Sequence, residues 1–138
     1  MSAVFDVPRT RMFELWTRAE HLRRWFRPRD MKLEIRALDV RVDGRFDVSM
    51  IDGEGLAHGL RGEYRELLPP ERIVFTYRWD GAPDLHTLVS VLLTDDGGRT
   101  RLTLHQGVFR SRDDRDRHVD AWQSTLDSLN EYVRAAPG

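Results

Sequence analysis

The architecture follows from residues 111–136, which read SRDDRDRHVDAWQSTLDSLNEYVRAA. Apolar residues recur in this stretch at spacings of three and four, the pattern of a helix with one buried face; they are Val119, Trp122, Leu126, Leu129 and Val133. Ser111 followed by Asp114 resembles a capping box at the start of a helix. The stretch therefore predicts one long amphipathic helix, which at 1.5 Å per residue spans roughly 36 Å.

The chain before this helix changes from helical periodicity to the period of two that is typical of strands. We expect a short strand at residues 3–7, a helix that begins at Pro8, and a second short helix at residues 19–26. Alternating apolar and polar residues then predict about six antiparallel strands. Turn signals separate several of them, at Asp43-Gly44, Asp52-Gly53 and Asp96-Gly97-Gly98.

This order of elements predicts an α+β helix-grip fold. A curved antiparallel sheet of six to seven strands, preceded by two short N-terminal helices, has one apolar face to cover. The long C-terminal helix is the element that packs across it. Two layers with different curvature leave a space between them unless large side chains fill it, and such concave apolar spaces are common ligand sites.

Composition narrows the classes of function. At 138 residues we expect one domain over residues 1–138. The formal net charge of −1 means that the chain has no excess of positive charge with which to bind nucleic acid. The start of the chain lacks the pattern of a signal peptide, and no apolar run approaches the roughly 20 residues of a membrane span. We therefore expect a cytoplasmic protein.

Four blocks of sequence resemble one known family. They are residues 7–25 (VPRTRMFELWTRAEHLRRW), 39–46 (DVRVDGRF), 62–76 (GEYRELLPPERIVFT) and 98–104 (GRTRLTL), followed by the Trp122-x-x-x-Leu126-x-x-Leu129 pattern of the last helix. Together they resemble the AHSA-like proteins (activator-of-heat-shock-protein-ATPase homologues), a branch of the START-like, or SRPBCC, superfamily. That superfamily also holds the birch-pollen allergen fold and the polyketide cyclases. The resemblance covers nearly the whole chain and implies the same helix-grip fold.

The chain departs from the family pattern at three positions. Ala19 stands where the family often has proline, and Asp43 where it often has a second glycine beside Gly44. Ala121 stands where glycine often precedes the helix tryptophan, and its added methyl group is expected to narrow the cavity. The founding eukaryotic chaperone activator pairs this domain with another one, so the resemblance gives little reason to expect chaperone activation from the domain alone.

The sequence offers few groups for catalysis or metal binding. It contains no cysteine, which removes thiol nucleophiles and cysteine-ligated metals, and no Gly-x-Ser-x-Gly elbow. Its five histidines are scattered without paired spacing. We expect no metal and no cofactor, and the catalytic residues remain unknown.

Candidate cavity residues follow from the inward register of the strands. Leu60 sets a register that points His58 and Tyr64 inward, and Leu102 and Leu104 set one that points Gln106 inward. These polar groups either pair with each other or meet a ligand; alternatively, His58 lies at a strand end near solvent and Tyr64 is a core residue. The full set of predicted cavity residues is Trp25, Phe46, His58, Tyr64, Tyr77, Trp79, Gln106, Trp122 and Leu126.

Three functions fit this reading. The first is binding of a small hydrophobic or aromatic molecule between the sheet and the last helix. The second is a cyclase, dehydratase or isomerase in the same cavity, with His58 and Tyr64 polarising a carbonyl or moving a proton. The third is a co-chaperone-like interaction module with a chaperone as partner. A homodimer is compatible with each.

Overall fold

The helix-grip prediction is confirmed by a computed structural model, which describes residues 1–82 and 84–135. The elements are β1 (Ser2–Phe5), α1 (Arg9–Thr17), α2 (Ala19–Trp25), β2 (Lys32–Leu38), β3 (Arg45–Ile51), β4 (Ala57–Leu68), β5 (Arg72–Trp79), β6 (Thr87–Asp96), β7 (Arg99–Gly107) and α3 (Arg112–Ala135). The last residue of the predicted helix, Ala136, lies outside the described residues. No helix in the described part is long and apolar enough to cross a membrane.

The seven strands form one antiparallel sheet in the order β1-β7-β6-β5-β4-β3-β2. Strands β2 to β7 are a meander in which each strand pairs with the next one in sequence. The register places apolar residues opposite one another on the inner face, as in the pairs Val48–Leu60 and Val91–Leu104. Strand β1 joins the far edge beside β7, so β2 and β1 are the two edge strands.

Helix α3 lies with its apolar stripe on the inner face of the sheet. The Asp114 backbone N–H donates to Ser111 Oγ at 3.1 Å, which confirms Ser111 as the N-terminal cap. Trp122, Leu126, Leu129 and Val133 are buried, but Val119 is 45% exposed. The prediction for Val119 is wrong because the preceding residue takes the inward position: the His118 ring packs against Tyr77 and Phe109, with centroid distances of 6.1 and 4.8 Å.

The two short helices, α1 and α2, pack against each other and against α3. Trp25 Nε1–H donates to the Leu15 carbonyl at 2.8 Å, which ties α2 to α1. Two hydrogen bonds tie α2 and its following loop to α3: His21 Nδ1 with the Tyr132 hydroxyl at 2.8 Å, and the Arg29 backbone N–H to Ser124 Oγ at 3.0 Å. Burial is the main cause that lowers the pKa of His21.

The turn before β3 explains one departure from the family pattern. Asp43 has a φ of +67°, in the left-handed region that glycine adopts without cost. Its backbone N–H donates to the Tyr64 carbonyl at 2.8 Å, so this turn is fixed against strand β4. Aspartate is among the residues that tolerate this conformation, which accounts for its presence where relatives carry glycine.

Strand β4 approaches its neighbours most closely at Gly62. A Cβ atom added there would lie 2.0 Å from the Thr76 carbonyl oxygen and 2.4 Å from Cε1 of Phe46. Next to it, the Glu63 backbone N–H donates to Thr76 Oγ1 at 2.8 Å instead of to a strand carbonyl. The register shifts soon afterwards, between Tyr64 and Glu66. Gly62 is therefore required by close packing of the Phe46 ring over the strand.

We expect Gly62→Ala to lower the free energy of unfolding by about 1–3 kcal/mol, because the added methyl group must displace backbone and a buried ring. Urea denaturation followed by circular dichroism measures the change. Gly53→Ala is the matched control, since a Cβ there meets nothing within 4 Å, and it should be close to neutral. Equal stability of the two variants would show that Gly62 is not under steric constraint.

Candidate functional site

Aromatic rings fill most of the space between α3 and the sheet. Trp122 is at the centre of this layer, and the rings of Trp16, Phe26 and Tyr77 surround it with centroid distances of 6.2, 5.9 and 5.9 Å. All four side chains are buried. The predicted cavity beneath α3 is therefore largely occupied by the protein's own side chains.

A partly buried chain of hydrogen bonds fixes Trp122 to the sheet. Trp122 Nε1–H donates to Gln106 Oε1 at 2.7 Å, and Gln106 Nε2–H donates to Thr87 Oγ1 at 2.8 Å. The Thr87 hydroxyl in turn donates to the Tyr77 carbonyl at 3.0 Å. Gln106 thus faces inward as expected, and it pairs with Trp122 and Thr87.

Two small apolar gaps remain in the core. The first, which we call the α2 cavity, has a volume of about 30 Å³ and lies between α1–α2 and strands β2 to β5; its walls are Trp16, Leu22, Phe26, Leu33, Ile35, Leu38, Phe46, Val48, Tyr64, Ile73 and Phe75. The second has about 20 Å³ and is lined by Phe26, Pro28, Met50, Tyr77, Trp79, Ala121, Trp122 and Thr125. A water molecule needs roughly 10–15 Å³ of cavity volume. Each gap therefore has room for about one or two waters.

The walls of the α2 cavity are almost wholly apolar. Of the residues that line it, only Trp16 and Tyr64 have a polar side-chain atom. Burial raises the pKa of Tyr64 above its ordinary value, so this hydroxyl stays protonated and neutral. Trp16 Nε1 is buried and has no hydrogen-bond partner within the described part of the chain. No residue of the described lining carries a charge.

Eight of the nine predicted cavity residues, all but His58, divide into four groups. Phe46 and Tyr64 line the α2 cavity, whereas Tyr77, Trp79 and Trp122 line the smaller gap. Trp25 and Leu126 are buried in the core without lining either one, and Gln106 supports Trp122 from the sheet.

Sequence reasoning missed the α2 and β2 walls of the α2 cavity, above all Leu22, Phe26, Leu33 and Ile35. The alternation of Leu33 and Ile35 along β2 does indicate an inward face. It does not indicate that this face meets α2 rather than α3, so only the folded structure identifies the cavity.

Of the two alternatives for His58, the structure has the one in which it lies near solvent at a strand end. Its side chain is 47% exposed, and its Nε2 lies 2.9 Å from Asp52 Oδ2 in the preceding turn. This hydrogen bond is the first cause that lowers the pKa of Asp52. His58 shares the face of Leu60, but it is the second residue of β4 and lies beside the hairpin turn, where solvent reaches it. The described cavity therefore has no histidine.

Metal-binding groups are likewise not brought together. Within residues 1–82 and 84–135, no three His, Asp or Glu side chains are placed to hold a metal ion. The described site thus consists of apolar walls.

The sheet, the two short helices and the long helix across them define a START-like helix-grip domain. The sequence matches the family model described as "Activator of Hsp90 ATPase homolog 1-like protein" over residues 6–134. The chain belongs to this family. Membership supports a ligand-binding or co-chaperone-like domain in general terms.

Solved structures show the same fold. A protein of Chromobacterium violaceum is 24% identical with a TM-score of 0.87, covering 99% of this chain and 96% of that one. An AHSA1 protein of Silicibacter pomeroyi is 20% identical with a TM-score of 0.85, covering 97% and 96%. A protein of Arthrobacter aurescens is 17% identical with a TM-score of 0.86, covering 99% and 86%. No curated protein matches the chain in sequence.

We expect Gln106→Leu to lower the free energy of unfolding by about 1–3 kcal/mol, because it leaves the buried Trp122 N–H without an acceptor. Chemical denaturation measures the loss. Gln123→Leu is the control, since Gln123 is exposed on α3 and bonds only to Asp127; it should change stability by less than about 0.5 kcal/mol. Similar losses in both variants would contradict a stabilising role for this chain of hydrogen bonds.

Proposed function

We propose that the chain binds a small hydrophobic or aromatic molecule in the α2 cavity. One observation carries the proposal: an apolar gap in the core extends to the edge of the sheet, where its walls are only half-buried. Leu33, Ile35 and Leu38 of β2 form that edge. An apolar pocket with few polar groups is the usual form of a small-molecule site.

Binding requires the α2 cavity to widen. Its present volume of about 30 Å³ holds water-sized groups, whereas sites for small molecules are commonly some hundreds of Å³. The walls that can move are those with the fewest neighbours. Strand β2 is an edge strand paired only with β3, and α2 has seven residues. Separation of α2 from β2 would open the cavity while the α3–sheet contact stays in place.

An enzymatic role in this cavity is less well supported. General acid–base catalysis needs a group that gains or loses a proton near the working pH. The described lining offers only Tyr64, whose raised pKa keeps it protonated, and His58 lies outside. These walls favour binding of a molecule without its chemical conversion.

An interaction module, with a chaperone as partner, is the second candidate. The nearly filled core favours it, because a domain without an internal pocket must act through its surface. Leu88 and Leu92 on the outer face of β6 are exposed large apolar residues. They share that face with Leu68 of β4 and Val74 of β5, but charged and polar residues lie among them. They therefore support this function less strongly than the α2 cavity supports binding.

We expect a neutral fluorescent probe, 6-propionyl-2-dimethylaminonaphthalene, to bind the purified protein and to shift its emission to the blue. Ile35→Trp fills the mouth of the α2 cavity and should weaken this binding at least tenfold. Leu92→Trp adds the same ring to the outer face and should leave the affinity within about twofold.

Native mass spectrometry of the unmodified protein gives a second measurement of a retained molecule and of the oligomeric state. Absence of binding to the unmodified protein would favour the interaction module. Equal binding by Ile35→Trp would place the site elsewhere.

A further inference from the structure

The outer face of the sheet, opposite to the face that carries α3, has a groove rich in arginine. It has a volume of about 780 Å³ and lies across strands β3 to β6. We call it the arginine groove. It shares only Phe46 with the described lining of the α2 cavity. Four arginines and two carboxylates are among its lining residues: Arg45, Arg61, Arg65, Arg78, Asp47 and Glu63.

Each of these carboxylates is shared between two arginines. Glu63 Oε1 lies 3.6 Å from Arg45 Nε, and Glu63 Oε2 lies 3.6 Å from Arg65 Nη1. The side chains of Arg45 and Arg65 are 81% and 52% exposed. Ion pairs as exposed as these contribute little to stability. Both guanidinium groups can therefore bind another anion without a large loss.

The second carboxylate, Asp47, is held mainly by an arginine from β2. Its Oδ1 binds Arg36 Nη2 at 2.6 Å and lies 3.8 Å from Arg61 Nε. Arg61 Nε also lies 3.3 Å from Asp80 Oδ1. With these two neighbours included, five arginines meet three carboxylates. The groove therefore has an excess of positive charge, although the whole chain has a formal net charge of −1.

Arg78 is the arginine that these carboxylates leave unpaired. It is half-buried on β5 and forms no ion pair within residues 1–82 and 84–135. In the register of β4 with β5 it stands directly opposite Arg61. Like charges in directly opposite positions of a sheet repel each other and destabilise it. An anion bound between the two guanidinium groups would remove this repulsion.

The spread of the positive groups favours an extended anion over a single small one. Arg61 and Arg65 are four residues apart on β4, roughly 13 Å at about 3.3 Å per residue. Arg45 and Arg78 are on the strands at either side, each roughly 5 Å away. A single carboxylate or phosphate could reach only one or two of the four, whereas a peptide segment with several carboxylates could reach them all.

We propose that the arginine groove binds an acidic segment of a partner protein, whose carboxylates pair with Arg45, Arg61, Arg65 and Arg78. Guanidinium groups suit this role because they bind carboxylates through two parallel hydrogen bonds. Single-stranded nucleic acid also needs rings on which its bases stack, and the Phe and Tyr rings of the described lining are buried. The site is separate from the α2 cavity and does not depend on a ligand there.

Fluorescence anisotropy with a labelled peptide of eight glutamates tests the proposal on the full chain. We expect this peptide to bind at low ionic strength with an affinity that falls as salt is added, and a peptide of eight glutamines not to bind. Arg61→Gln and Arg78→Gln together should weaken binding at least tenfold. The control combines Arg23→Gln with Arg24→Gln, at two exposed positions of α2. It changes the net charge equally and should leave the affinity within about twofold.

Thermal unfolding gives a second readout. The glutamate peptide should raise the unfolding midpoint of the unmodified protein and should not raise that of the variant with Arg61→Gln and Arg78→Gln. Without peptide, Arg78→Gln alone should be at least as stable as the unmodified protein, because it removes a like-charge contact. A loss of stability in this variant would show that Arg78 serves the fold and would overturn its place in the site.

Failure of the glutamate peptide to bind the unmodified protein would overturn the proposal. Equal weakening by the two double variants would do so as well, because binding would then follow net charge alone. Tighter binding of a DNA strand of eight thymidines would assign the groove to nucleic acid, and equally tight binding of glutarate would assign it to a small anion; either result would overturn the acidic segment. None of these outcomes bears on the proposed function of the α2 cavity.

Discussion

The contact of Trp122 with the sheet determines how α3 is positioned and, through that, the form of the core. Its ring lies among those of Trp16, Phe26 and Tyr77, and its N–H is held by Gln106, which is held by Thr87. Packing alone would allow the helix to slide, because apolar contacts are non-directional. The hydrogen bonds fix the position of the helix above and along the sheet. The remaining free space therefore lies near α2 and not at the centre of the helix–sheet interface.

The fold was predictable because its signals are local and repeated. The stripe from Trp122 to Val133 predicted α3, and the alternating residues from Leu33 to Val108 predicted the strands. Such periodic patterns do not predict the exposure of residues near the end of a helix or strand. His58 shares a face with Leu60 but lies beside a turn, and Val119 shares the stripe of Trp122 but is replaced at the core by His118. The α2 cavity could not be predicted, since it depends on how the rings of Phe26 and Trp16 meet the edge strand.

The family's two general roles place different demands on this chain. A co-chaperone acts through its surface and can have a solid interior, whereas a binding protein needs space. The core here is intermediate, with filled layers beneath α3 and a small apolar gap at one side. Trp16, packed against Trp25 and Trp122, forms one wall of that gap, and the edge strand β2 forms another.

Strand β2 has a further role as the free edge of the sheet next to the cavity. An edge strand offers unpaired backbone groups to any other extended chain. Its outward residues Lys32, Glu34 and Arg36 are exposed and charged, and Arg36 is bound to Asp47 of β3 at 2.6 Å. Another extended chain that paired with this edge would have to place its side chains next to these charged residues. The free edge of the sheet is thereby protected against edge-to-edge aggregation.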